Sequence, residues 1–555
     1  MSEMNINIKW AQRISKSISE MGIDCVCICP GSRNTPLTLA FTGNKDLICS
    51  SHIDERSASF FALGISKKTS SPAVIVSTSG TAVANFLPSV IEASLSKTPL
   101  LIITADRPSH LVHTGENQTI NQKNIFGGYV RGFKDLGLPN NKVILESIVI
   151  SFIDLANGGA DTPPGPVHLN VPFDEPLIDD SSFIDTNSIQ TSIDTKQTKY
   201  SFKSFVMPQL DDSVIICGEM CKSSDLQKIL DLSEHLNAPI LADPTSNIRY
   251  FTKHPNIISS YNLFINEVQF NPGTIIRFGS KPTSKSLCSI LKKHNRVYYI
   301  DRYETFNDDS IHQINSSVSH FIDHILGNTK KVVNNSYLKK LLPIQNKINT
   351  YMNQLTFDKY RCEGVLINNI LNSVDENSNI FIGNSMAIRE MDDLTINMDK
   401  KINIYANRGA SGIDGLVSTA LGMTYSAKEN TNIAILGDLS FYHDMNGLLA
   451  AKQMNINMIF IVLNNNGGGI FSKLDIPKID SKTFNKFWTT PLNLDIDKIA
   501  DLYDFEYAQL KTLDDIKTIS NSSSHSIILD YRIDIKKSIQ EKKKIEKEIK
   551  DLVRN

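Results

Sequence analysis

The chain has 555 residues, 41% of them hydrophobic and 21% charged, with a formal net charge of −2 at pH 7. That length fits about three to four domains, each with its own core. The charge balance gives no electrostatic reason to expect a nucleic acid or membrane partner. No apolar run approaches the roughly 20 residues of a membrane helix, and no basic-then-apolar leader opens the sequence, so a cytoplasmic location is expected. Of eight cysteines, Cys25, Cys27 and Cys29 alternate along one apparent strand and read as small, reduced hydrophobes rather than as a metal site.

In the first third, Ile8 to Met21 has helical periodicity. Cys25 to Cys29 reads as a strand ending in Pro30-Gly31-Ser32-Arg33-Asn34. A Pro-Gly turn is by default only a turn, but Ser32-Arg33 at a strand end before a helix also makes an anion cradle. Next come His52-Ile53-Asp54-Glu55-Arg56-Ser57-Ala58, at the start of a helical run, and the strand Val74-Ile75-Val76-Ser77, which runs into Thr78-Ser79-Gly80-Thr81-Ala82. Leu100–Thr104 is a strand ending in Ala105-Asp106-Arg107-Pro108 and followed by Gln118-Thr119-Ile120. Gly165 to Pro172 reads as a closing edge strand. Strands alternating with helices predict a doubly wound parallel sheet, with polar signatures at the strand ends.

Residues 181–201 are rich in Ser, Thr and Asp and read as a linker. A second α/β set follows: a strand from Ser213 to Cys217, a helix from Ser223 to Leu236, then strands 239–241, 273–278 and 297–301. Lys285 follows the turn Gly279-Ser280. No glycine-rich dinucleotide fingerprint is present. A helix is expected over residues 334–355.

In the last third, a strand over 379–383 ends in Asn384-Ser385, and Ser385 and Arg389 are four apart, sharing a face on a helix. A strand over 402–405 ends in Asn407-Arg408-Gly409-Ala410-Ser411-Gly412-Ile413-Asp414-Gly415, which opens the helix Leu416–Tyr425. The apolar run Asn432–Leu436 ends in Gly437-Asp438, and Met458–Leu463 ends in Asn464-Asn465-Asn466. Between them Met445, Leu448, Leu449 and Met454 follow a helical period. Two buried parallel strands joined by a helix bring Asp438 and Asn465 to one sheet edge, where open α/β sheets bind ligands. A carboxylate and an amide oxygen are hard donors that suit Mg²⁺ with phosphate co-ligands. Gly467, Gly468 and Gly469 allow close backbone approach. This is the pattern of a metal-bridged diphosphate. A charged terminal helix over 536–550 is expected to be solvated.

Gly437-Asp438 and Asn464-Asn465 at this spacing resemble the motif of the thiamine diphosphate enzymes. The variant Gly437-Asp438-Leu439-Ser440, with the N-terminal motifs quoted above, is similar to the 2-succinyl-5-enolpyruvyl-6-hydroxy-3-cyclohexene-1-carboxylate (SEPHCHC) synthase family of menaquinone biosynthesis. The resemblance implies three doubly wound domains: a pyrimidine domain (1–180), a central domain (200–335) and a diphosphate domain (355–555). It implies thiamine diphosphate with Mg²⁺ (or Mn²⁺) on Asp438, Asn465 and the Gly467 carbonyl. Glu55 would bond the aminopyrimidine, and Ile413 would hold the cofactor's bend. Ser385, Gly437, Leu439, Ser440, Gly468, Ile470 and Phe471 would complete its pocket, with Leu474 beyond. Ser32, Arg33, Arg107, Gln118, Lys285, Ser385, Arg389 and Arg408 would face substrate. Where relatives often have an arginine, Ser286 stands after Lys285. Gly469 replaces a larger polar residue, implying a looser wall.

The implied reaction decarboxylates 2-oxoglutarate and adds the succinyl carbanion to isochorismate. Both substrates are dicarboxylates, and arginine binds carboxylates bidentately, so an excess of arginine at strand ends fits by a separate route. The implied active unit is a homodimer or homotetramer with sites between subunits. The alternatives are another thiamine-dependent 2-oxoacid decarboxylase or carboligase, of acetolactate synthase type, and a catalytically silent cofactor-binding subunit.

Overall fold

The computed structural model describes residues 5–159, 162–179, 209–219, 224–303, 308–310, 312–473, 479–512, 514–515 and 526–554. The linker expected over 181–201 and the pocket residue Leu474 lie outside these. The chain forms two compact units. The first holds Met1–Tyr200, Asn407–Ala427 and His443–Ile456, and the second holds Ser201–Ala406, Lys428–Tyr442 and Asn457–Asn555.

The first unit contains strands β1 (Cys25–Ile28), β2 (Ile48–Ser51), β3 (Ala73–Ser77), β4 (Leu100–Asp106), β5 (Gly132–Asp135) and β6 (Pro166–Pro172). They pair in parallel in the order β2-β1-β3-β4-β6-β5. β3, β4 and β6 are buried along their whole length, as strands covered by helices on both faces should be. Gly165 to Pro172 was expected at the sheet edge, but β6 is interior and β5 takes the edge. The short, half-buried Gly-Phe-Lys-Asp of β5 carries no periodic signal, which is why the edge is not legible in the sequence.

The helix Leu416–Tyr425 belongs to this unit and packs on the helix Glu55–Thr69 at backbone contact. A Cβ at Gly64 would lie 2.0 Å from the Thr419 carbonyl oxygen, and one at Gly422 would lie 1.9 Å from the Phe61 carbonyl oxygen. Glycine at these two positions is therefore a condition of the packing.

The second unit contains two more six-stranded parallel sheets. One uses β7 (Ser213–Cys217), β8 (Ile240–Ala242), β9 (Ile257–Ile258), β10 (Thr274–Phe278), β11 (Val297–Asp301) and β12 (His312–Asn315), in the order β12-β11-β10-β7-β8-β9. This is the dinucleotide-binding strand order. Its first turn is filled by the chain itself: a Cβ at Gly218 would sit 1.8 Å from the Ser280 carbonyl oxygen. The last sheet uses β13 (Asn379–Ile382), β14 (Asn403–Tyr405), β15 (Asn432–Gly437), β16 (Ile459–Asn464), β17 (Glu506–Gln509) and β18 (Ile527–Arg532). Its order, β14-β13-β15-β16-β18-β17, repeats that of the first sheet.

The terminal helix Ile535–Arg554 does not match the expected solvated tail. It buries Ser538, Lys542, Ile545 and Ile549 along one stripe. The buried Lys542 ammonium is matched by Glu390 at 2.8 Å and Asp393 at 2.5 Å. Charged composition masked an amphipathic face whose buried cation is paired. Among the described residues no helix is long and apolar enough to cross a membrane.

Candidate active site

In the first unit the polar turns gather at the carboxyl ends of the strands. Gly31 follows β1 and abuts the turn after β3, where its Cβ would meet the Thr78 Cβ at 2.4 Å. Ser32 is exposed, and its carbonyl accepts the Thr35 N–H at 3.1 Å. Arg33 is buried; its Nη1 donates to the Phe173 carbonyl at 2.9 Å and its Nη2 to Glu175 Oε1 at 3.1 Å. Arg107 follows β4, and its Nη1 lies 4.0 Å from the same Glu175 oxygen. The Nε atoms of Arg33 and Arg107 are buried without a hydrogen-bond partner. Gln118 has φ +52° and is stitched to the β3 turn, with its Nε2 donating to the Ser79 carbonyl at 2.9 Å and its own carbonyl accepting from Ser79 Oγ at 3.0 Å. Ser32, Arg33, Arg107 and Gln118 thus share one sheet edge.

Glu55 opens the helix Glu55–Thr69 after β2, one residue past the cap Asp54, which accepts the Ser57 N–H at 3.1 Å. Its Oε2 accepts from Asn85 Nδ2 at 3.3 Å. A carboxylate here is favoured by the helix dipole, and it remains half-exposed.

Arg408 and Ile413 flank a turn held by a residue that sequence reasoning missed. Glu92, buried on the helix Leu87–Leu95, accepts the N–H of Gly409 at 2.8 Å, of Ala410 at 2.6 Å and of Ser411 at 3.3 Å. Ile413 is 42% exposed, unusual for a large apolar side chain on a fixed turn. Asp444, also missed, is fully buried; it accepts the Ser418 N–H at 2.7 Å and the Ser57 hydroxyl at 3.4 Å, and burial pushes its carboxyl up to about 6. No local signal marks Glu92 or Asp444, because their partners lie from 26 to 387 positions away.

In the second unit β15 pairs with β16 in parallel, Gly437 opposite Leu463. Asp438 therefore meets the loop after β16: its Oδ2 accepts the Gly467 N–H at 2.7 Å and its Oδ1 the Leu439 N–H at 2.9 Å. Burial pushes its carboxyl up to about 6, against the lowering pull of those N–H groups. The Asn465 Oδ1 is buried without a partner. The Gly467 carbonyl accepts from Gly469 N at 2.9 Å, which leaves its second lone pair.

Two of the three glycines are sterically required. A Cβ at Gly467, which has φ +134°, would lie 2.0 Å from the Thr489 carbonyl, and one at Gly468 would lie 2.5 Å from the Trp488 carbonyl. A Cβ at Gly469 would lie 2.6 Å from Asn465 Nδ2. The glycine leaves space that the Asn465 amide occupies. By contrast a Cβ at Gly437 would meet nothing within 4 Å, so there is room beside Asp438. Leu439 is half-buried and Ser440 buried on the helix Asp438–His443, and Ile470 and Phe471 are half-buried on the turn Gly469–Lys473.

Ser385, at the end of β13, has φ +67°, a strained conformation for a non-glycine residue. Its carbonyl accepts from Arg389 Nη1 across the first turn of the helix Met386–Leu394. Lys285 is exposed at the start of the helix Lys285–Lys293, and its neighbour Ser286 accepts from Asn266 Nδ2 at 2.9 Å. Serine there makes a neutral contact where an arginine would add charge.

These residues fit a divalent ion and a diphosphate. Among the described residues no group of three or more His, Cys, Asp or Glu side chains is arranged to hold a metal. The available donors are one carboxylate, one unpartnered amide oxygen and one carbonyl, a hard, partial set that phosphate oxygens and water complete. A cation beside Asp438 would also favour its charged form, offsetting the burial.

Two sheets of the same order, one with an acid opening a helix and the other with a Gly-Asp/Asn cradle, define a thiamine pyrophosphate enzyme. Residues 8–125 match the family described as thiamine pyrophosphate enzyme, N-terminal TPP binding domain, and residues 393–523 match the C-terminal TPP binding domain. A 2-succinyl-5-enolpyruvyl-6-hydroxy-3-cyclohexene-1-carboxylate synthase of Bacillus pumilus is 36% identical over 90% of this chain and 89% of its own length. Those of Bacillus velezensis (37%, covering 89% of each) and Staphylococcus aureus (36%, covering 91% of each) are similar. The chain belongs to this synthase family.

Proposed function

We propose that the protein decarboxylates 2-oxoglutarate and adds the resulting four-carbon unit to the conjugated double bond of isochorismate, as a transferase of menaquinone biosynthesis. The observation that carries this reading is the cationic edge of the first sheet, where Arg33 and Arg107 converge on one carboxylate with both Nε donors left over. A site for two dicarboxylates needs such fixed, forked cations. A pyruvate-type decarboxylase needs far fewer.

In this reading thiamine diphosphate, when bound, supplies a carbon nucleophile and an electron sink. Asp438, Asn465 and the Gly467 carbonyl hold its diphosphate through Mg²⁺ or Mn²⁺. Gly437, Leu439, Ser440, Gly468 and Ser385 border it, and Ile470 and Phe471 exclude water. Ile413 supports its bend. Glu55 holds a proton against the pyrimidine ring nitrogen. Ser32, Arg33, Arg107, Gln118, Lys285, Ser385, Arg389 and Arg408 bind and orient substrate carboxylates. Three domains, 1–180, 200–335 and 355–555, form a cytoplasmic homodimer or homotetramer with each site built from two subunits.

The test is one incubation with thiamine diphosphate, Mg²⁺, 2-oxoglutarate and isochorismate, followed by loss of isochorismate absorbance. Consumption of isochorismate that depends on 2-oxoglutarate supports the reading. Turnover of pyruvate, or of 2-oxoglutarate at an equal rate without isochorismate, refutes it in favour of a simple decarboxylase.

A further inference from the structure

Glu175 follows β6 and is 72% exposed at its side chain, yet its Oε1 sits 3.1 Å from Nη2 of Arg33, a residue only 4% exposed, and 4.0 Å from Nη1 of Arg107. One solvent-side carboxylate oxygen therefore faces two guanidinium groups, Arg33 buried and Arg107 half-buried. The cations are the enclosed partners of this cluster and the acid is the exposed one.

The backbone on either side of Glu175 is pinned. Asn7 Nδ2 donates to the Asp174 carbonyl at 2.9 Å and to the Pro176 carbonyl at 3.0 Å, and Asn5 Nδ2 donates to Pro176 at 3.1 Å. The Phe173 carbonyl is held by Arg33 at 2.9 Å. The main chain cannot swing away, but the exposed side chain can leave by rotating about its own bonds.

We propose that Glu175 sets substrate affinity: in the substrate-free chain its carboxylate occupies the seat that Arg33 and Arg107 offer to a substrate carboxylate, and substrate displaces it. This rests on the reading that those two arginines bind substrate. The internal acid keeps the forked donors engaged while the site is empty. An exposed ion pair is weak, so an incoming carboxylate displaces it at small cost. The internal competition lowers apparent affinity to the fraction of time the seat is free.

The test is Glu175→Gln in the holoenzyme, with Glu175→Ala beside it. KM for each of the two dicarboxylate substrates is measured, together with the inhibition constant of succinate as a simple dicarboxylate probe. Removing the competing charge should lower KM for one substrate, and the succinate constant, by about two- to fivefold. Unchanged or raised values in both variants overturn the proposal; a rise means that Glu175 positions the arginines instead. Arg107→Gln separates the two layers. It should raise the same KM, and if it changes neither KM the arginine seat itself is wrong. If it raises KM while the Glu175 variants do not lower it, only the competition is wrong.

Discussion

Glu92→Ala is the most direct probe of how the loop carrying Arg408 and Ile413 is held. In the wild type one buried carboxylate takes three successive backbone N–H groups, from Gly409, Ala410 and Ser411. The approach is close enough that a Cβ at Gly409 would lie 3.1 Å from Glu92 Oε1 and 2.6 Å from the Glu92 carbonyl. Each charge-assisted bond contributes about 1.5–3 kcal/mol. The sum must be discounted, because the third bond is long at 3.3 Å and Ala410 and Ser411 are exposed, so water can replace part of the loss. A net destabilisation of about 2–4 kcal/mol remains. In a unit of this size that lowers the apparent Tm by about 5 °C or more. Glu92→Gln keeps one acceptor oxygen but turns an NH₂ toward N–H donors, so it should fall between wild type and alanine. Calorimetry gives the stability, and kcat/KM should fall about tenfold or more through misplacement of the loop. If Glu92→Ala melts within about 1 °C of wild type with unchanged kcat/KM, the carboxylate does not hold the loop.

Glu55→Gln should bind thiamine diphosphate with near-normal affinity by calorimetry, yet lose about a hundredfold or more of turnover, the scale of a removed acid–base group; near-normal turnover would remove Glu55 from its role. Asp438→Ala should weaken Mg²⁺-dependent cofactor binding by about a hundredfold or more, since it deletes the one charged donor of the cradle among the described residues; unchanged affinity rejects the metal assignment. Asp444→Asn tests a buried acid raised to about 6. The native state holds that proton more tightly than the unfolded chain, so wild-type stability is fully present below about pH 4 and declines up to about pH 6. The variant has no such loss, so its stability relative to wild type should rise by about 2–3 kcal/mol between pH 4 and pH 7. A pH-independent difference refutes the raised value.

The elements most legible in the sequence were those whose signal is local. The runs that became β3, β4, β15 and β16 are continuous and apolar, and a buried parallel strand has no other way to read. The Gly-Asp and Asn-Asn ends were legible together because a β-α-β crossover returns its strands to the same edge, and the bond from the Gly467 N–H to Asp438 is that geometry realised. The edge strand Gly132–Asp135 was illegible because four residues, none of them fully buried, carry no period. The terminal helix was misread because its composition is charged while its buried stripe is set by spacing, with Lys542 inside and neutralised by two acids of another helix. Glu92 looks like any surface glutamate in a helix until the loop it caps is folded against it.

The buried carboxylates share one physical role. Glu92 takes three backbone N–H groups, Asp444 joins the helices that begin at Glu55 and Leu416, and Asp438 ties the ends of β15 and β16. In each case a buried carboxylate is satisfied by N–H or hydroxyl donors from distant chain, and a buried charge is tolerated only when such donors are in place. These contacts fix where the loops and strand ends sit, which an apolar residue burying the same area would not do. The two glycine contacts between Glu55–Thr69 and Leu416–Tyr425 act in the same sense, holding the helix that begins with Glu55 at backbone distance from the one that follows Ile413. Strand ends supply the chemistry, and long-range carboxylates and glycines set where those ends sit; that is why motif residues could be read from one sequence while the groups that aim them could not.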